Sequence, residues 1–123
     1  MKKLLTLATV LLVFGCITAQ SNVKSTNTMN LKNLHTEKKA VQTNLLFQPT
    51  DGKVVSLQIA KNEQLPEHIT KVPALLVCVS GKASYGDENG LKIELQSGDY
   101  MKIEPNVKHW INAEQESNFL LIK

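Results

Sequence analysis

The chain has 123 residues, 42% hydrophobic and 20% charged, with 14 basic against 11 acidic side chains and a formal charge of +3. That length and apolar fraction suffice for the core of one domain. Every basic residue is a lysine, and those of the later chain are scattered (Lys53, Lys61, Lys71, Lys82, Lys92, Lys102, Lys108); without the planar arginine fork or a basic stripe, nucleic acid is not an expected partner.

At the N-terminus, Lys2 and Lys3 precede an apolar run from Leu4 to Ile17, broken only by Thr6, Thr9 and Gly15 and followed by the small or polar Thr18, Ala19, Gln20 and Ser21. This is the pattern of a secretory signal, which predicts an exported protein of the periplasm or cell envelope, or a secreted one. The run is shorter than the roughly 18 residues that cross a bilayer, so no transmembrane helix is expected in the mature protein. Cleavage after Ala19 gives a signal over residues 1–19. Alternatively, Val13-Phe14-Gly15-Cys16 resembles a lipobox, with the signal ending before Cys16 and a lipid anchor on that cysteine. Loss of the signal leaves 12 lysines against 11 acids, a charge of +1. Cys78 then has no partner for an intramolecular disulfide, and within the run Ala74 to Val79 it reads as a small buried hydrophobe.

Residues 20–41 are expected to form a flexible leader. Ser21 to Asn30 is polar and without period, and Leu31 and Leu34 are anchors for a turn of helix or an edge strand. His35 reads as a solvated surface histidine.

The folded domain is expected over 42–123. Leu45 to Phe47 is a short strand ended by Pro49-Thr50-Asp51-Gly52, where proline fixes φ and glycine accepts positive φ. Lys53 to Ala60 alternates, with Val55, Leu57 and Ile59 opposite Val54, Ser56 and Gln58. Ala74 to Val79 is continuously apolar, which predicts a central strand buried on both faces. Lys82 to Tyr85 and Leu91 to Leu95 flank the turn Gly86-Asp87-Glu88-Asn89-Gly90 as a hairpin. Ser97-Gly98-Asp99 turns into Tyr100 to Ile103, and His109 to Ala113 and Asn118 to Ile122 follow. No helical period appears after Val41. Around eight short strands in roughly 85 residues describe an all-β sandwich or closed barrel, and closure removes the exposed edges that otherwise invite association.

Two segments carry a resemblance. His68-Ile69-Thr70 with Ala74 and Gly81, and Gly98-Asp99 with Pro105, Asn106 and His109, are similar to the two motifs of the cupin family. The first of those motifs is a His-x-His pair, a glutamate and a glycine; the second is a Gly-Asp turn, a proline and glycine turn, and a histidine. Thr70 stands at the second histidine, Ala74 at the glutamate and Asn106 at the glycine, where asparagine tolerates the left-handed conformation better than other non-glycine residues. The resemblance covers about Leu57 to Ala113. It implies a small double-stranded β-helix, a jelly-roll barrel, with His68 and His109 facing into it.

Cupins that bind iron, manganese, zinc or nickel generally use three histidines and the glutamate. With two imidazoles left, His68 and His109 are candidate ligands of a divalent metal, and Glu63, Glu67 or Glu104 is the nearest source of a third donor, although Glu67 should face away from His68 in an extended strand. His68, His109, Thr70 and Trp110 are the candidate ligand-binding residues, Trp110 closing one side of the pocket. Tyr85 and Tyr100 read as packing or rim residues.

The function expected is a binding protein holding a small polar molecule in the barrel, with or without a metal ion. The alternatives are a metal-dependent dioxygenase or isomerase of the cell envelope and a non-catalytic interaction scaffold, because one fold hosts many chemistries. The resemblance also makes a homodimer an expectation. The sequence carries no phosphate loop, Cys-x-x-Cys, nucleophile elbow or His-Glu-x-x-His.

Overall fold

The computed structural model describes Gly15 and residues 30–123; the signal over 1–19, the anchor at Cys16 and the first part of the leader otherwise lie outside the described residues. A 3₁₀ turn, Leu31–Asn33, is followed by β1 (Val41–Phe47), β2 (Val54–Ile59), β3 (Gln64–His68), β4 (Ala74–Ser80), β5 (Lys82–Asp87), β6 (Lys92–Gln96), β7 (Tyr100–Ile103), β8 (His109–Ala113) and β9 (Ser117–Ile122). They form two antiparallel sheets, one in the order β1-β2-β9-β4-β7 and the other β3-β8-β5-β6.

Alternation builds the space between the sheets. Leu57, Ile59, Leu76, Cys78, Met101, Ile103 and Phe119 project from the first sheet toward Ala83, Tyr85, Leu95 and Ile111 of the second, and all are buried. Cys78 is fully enclosed and free; burial, and to a lesser degree the nearby Asp99 carboxylate, pushes its thiol upward, which leaves it protonated and inert.

Three local features differ from expectation. β3 has no apolar alternation and contains Pro66, so the sequence did not announce it; it lies at the edge of its sheet, and its pairing with β8 slips between Leu65 and His68, which is where a strand tolerates proline. β4 is interior, yet Leu75, Val77 and Val79 are only half-buried because no layer covers the outer face of its sheet there. On β2, Ser56 and Gln58 are buried as well as their apolar neighbours.

That last burial comes from the end of the leader. His35 Nε2 lies 2.8 Å from Ser56 Oγ, and the Ala60 amide donates to the carbonyl of Ala40 at 2.8 Å. His35 is therefore half-buried against β2 rather than solvated, and residues 30–41 pack with the barrel.

Gly81 closes the turn between β4 and β5 at φ +97°, where a Cβ would stand in contact with the Glu116 carbonyl and the Ser117 side chain. Only glycine meets both demands. Asn106 adopts φ +62°, the left-handed conformation expected of it in the turn before β8.

Candidate functional site

The antiparallel order places the C-terminal end of β3 beside the N-terminal end of β8, so residues 41 positions apart in the chain become cross-strand partners: His68 pairs with His109. Their ring centres are 4.2 Å apart with the planes tilted by 57°. His109 is buried and His68 is exposed, so the pair runs from the barrel interior to its mouth. Tyr85, from the neighbouring β5, stacks on the inner side of His109 with ring centres 5.6 Å apart. Burial, with some help from the Asp87 carboxylate, raises the Tyr85 phenol to about 12, so it stays protonated throughout the physiological range.

The hydrogen bonds fix which nitrogen of each ring is engaged. His68 Nδ1 lies 2.8 Å from the Pro66 carbonyl and His109 Nδ1 lies 2.9 Å from the Val107 carbonyl. A carbonyl can only accept, so each Nδ1 donates its proton there and the neutral ring keeps its acceptor lone pair on Nε2. Burial, and secondarily the neighbouring His68, holds His109 below the usual imidazole range, against the opposing pull of the Val107 carbonyl and Asp87. His109 is thus a neutral acceptor at physiological pH.

Thr70 is 6% exposed, and its hydroxyl is a buried polar atom without a hydrogen-bond partner among the described residues. It follows His68 by two residues, at the position corresponding to the second histidine of the motif. Ala74, in place of the glutamate, packs in the core.

The other sequence-derived candidates fall outside this group. Trp110 alternates with His109 and Ile111 along β8 and so stands on the opposite face, its indole against Gly86, where a Cβ would come within 2.6 Å of Nε1. It covers the outside of the second sheet and does not close the barrel mouth. Glu67 faces outward to Lys108 at 3.8 Å, and Glu63 and Glu104 are exposed. Asp87 is the cross-strand partner of His109 on β5, but its Oδ1 accepts from the amides of Asn89 and Leu91 at 2.9 and 3.1 Å and staples the hairpin turn.

The donor set does not fit a resident metal. Among the described residues no group of three or more His, Cys, Asp or Glu side chains gathers, and stable sites generally need three or four protein donors. The two imidazoles, 4.2 Å apart between ring centres, fall short of that number by themselves.

No family model matches the chain, and no curated protein matches it. Solved structures do. A cupin superfamily protein from Desulfitobacterium hafniense is 18% identical with a TM-score of 0.67, over 76% of this chain and 84% of that one. A cupin 2 conserved barrel domain protein from Leptotrichia buccalis is 20% identical with a TM-score of 0.68, over 76% of this chain and 45% of that one. An RmlC-like cupin family protein with a double-stranded β-helix fold, from Methanocaldococcus jannaschii, is 18% identical with a TM-score of 0.61, over 71% and 82%. Likeness at such identities is likeness of fold, and together with the two antiparallel sheets described above it shows that this chain is a double-stranded β-helix with the cupin fold.

Proposed function

We propose that the protein is an exported binding protein that holds a small hydroxylated molecule at the barrel mouth without a resident metal. One observation carries the reading: both Nδ1 atoms are committed to backbone carbonyls, which leaves the Nε2 of each ring as its acceptor, on two rings whose centres are 4.2 Å apart between the barrel interior and its mouth. Ligand hydroxyls are the complementary donors, as on a sugar or polyol. Export rests on the signal pattern of residues 1–19.

The test has two arms. The purified protein is exposed to zinc, manganese, nickel and ferrous ions, dialysed and analysed for metal, and a panel of monosaccharides and polyols is screened for a rise in Tm. The expected result is well under one metal per chain, and a sugar- or polyol-dependent rise in Tm that His68→Ala and His109→Gln abolish. Stoichiometric metal that either variant loses would replace this reading with that of a metal-dependent enzyme.

A further inference from the structure

The exposed large hydrophobic side chains are unevenly placed. Leu45, Leu46 and Phe47 at the end of β1, Ile69 and Val72 in the loop between β3 and β4, and Ile122 at the end of β9 gather at the mouth end of the barrel, while Leu91 in the β5–β6 turn and Tyr100 on β7, opposite Val77 of β4, stand apart from them. Between the β1–β2 turn and the β3–β4 loop this end holds a cleft of about 650 Å³, within the range of small-molecule sites. Ile69 (47% exposed) and Val72 (49% exposed) give it an apolar wall. Lys53, Lys71 and Lys123 line it as well, against Asp51 as its one acidic side chain. Among the described residues none of these lysines is in an ion pair, whereas Lys39, Lys82 and Lys108 each have a glutamate within 4 Å.

A second observation points the same way. Thr70 also lines the cleft, and its buried hydroxyl is without a partner. Such a group costs roughly 1–3 kcal/mol unless something bonds it.

We propose that this cleft binds a small amphipathic anion, a carboxylate with an aliphatic tail, with the tail on Ile69 and Val72 and the carboxylate between the ammonium groups of Lys53 and Lys71. Charge selects the occupant: a neutral apolar molecule would leave the lysines unanswered, and an amphipathic cation would be repelled by them. The site adds to the imidazole pair and does not rest on it, since neither His68 nor His109 lines the cleft.

The probe is octanoate, titrated into the purified protein by calorimetry and by amide chemical shift, with acetate and octylammonium as controls. A ligand of ten heavy atoms at ordinary efficiency gives saturable binding with Kd on the order of 1 mM. Acetate, which lacks the tail, and octylammonium, which reverses the charge, should each bind about tenfold more weakly or not at all. The double variant Lys53→Glu/Lys71→Glu should lose about tenfold or more in affinity and Val72→Ser several-fold, while His109→Gln leaves octanoate binding unchanged. Equal binding of octylammonium, indifference to the lysine variants, or a loss in His109→Gln equal to theirs would each overturn the proposal. So would the absence of saturable octanoate binding combined with sedimentation on phosphatidylglycerol vesicles, which would mark this end as a membrane-docking surface. Because His109→Gln should abolish the sugar effect and spare octanoate, failure of either site is visible separately.

Discussion

The two ends of the barrel are built to different standards. At the closed end, where β2 runs out, β9 begins and the β4–β5 turn lies, Ile59, Cys78, Ala83 and Phe119 are fully enclosed and the buried Ser117 hydroxyl bonds the carbonyls of Gln115 and Lys82. Gln58, Asn118 and Ser80 form a side-chain chain across the outside of the same region, with distances of 3.0 and 3.1 Å. At the mouth, apolar side chains stand in solvent, a threonine hydroxyl has no partner, and two imidazoles sit ring against ring. Evenly distributed packing would be the mark of a scaffold. The exposed apolar groups and the unpaired Thr70 hydroxyl at the mouth are what the proposed binding there rests on.

The largest effects should come from the closed end. Phe119→Ala removes a fully enclosed ring and is expected to cost about 3–5 kcal/mol, measured by denaturant unfolding. Gly81→Ala forces a methyl against the Glu116 carbonyl at a left-handed φ and should cost about 2–3 kcal/mol. A loss below about 1 kcal/mol in both would erase the contrast between the ends.

The mouth should respond to pH. His109 has its folded pKa held below the 6.5 of a free imidazole, so the unfolded chain takes up a proton that the folded chain resists. Its contribution to stability is complete above about pH 6.5 and is lost as pH falls from there through the lower, folded value. Urea unfolding across pH 4–8 should show this slope, and His109→Gln should flatten it. A slope of the opposite sign would mean that His109 is charged in the fold.

The smallest effect expected is also the most diagnostic of binding. Thr70→Val keeps the shape and removes the orphan hydroxyl, and should raise stability by about 1 kcal/mol in the ligand-free protein. Destabilisation would show that the hydroxyl is satisfied in solution and would weaken the contrast at its sharpest point.

Much of this architecture was legible from alternation and turn chemistry. Leu91, Ile93 and Leu95 announced β6, and Gly81, Gly98 and Asn106 marked turns that do need left-handed backbone. β3 was not legible, because an edge strand with one half-buried residue and a proline carries no period of two. His35 was misread for a related reason: the Ser56 hydroxyl that it meets is brought to it by pairing across 21 residues, and no local pattern encodes that.

At the site, His68 and His109 could be named from their motif positions, and Thr70 as a residue that departs from the motif. Trp110 was misplaced as a pocket wall: as the strand neighbour of His109 it points to the opposite face, against Gly86. The cleft lysines looked like any solvated lysines, since nothing local distinguishes Lys53 and Lys71 from the others until the fold gathers the turn and loop that carry them.

The measurement that bears most directly on the account is the imidazole ¹H–¹⁵N spectrum of the metal-stripped protein at neutral pH. Both His68 and His109 should show the tautomer with the proton on Nδ1 and a bare Nε2, and neither should shift when zinc is added at one equivalent and then dialysed away. A proton on Nε2 of either ring, or Nε2 resonances that stay displaced because zinc is retained, would contradict it.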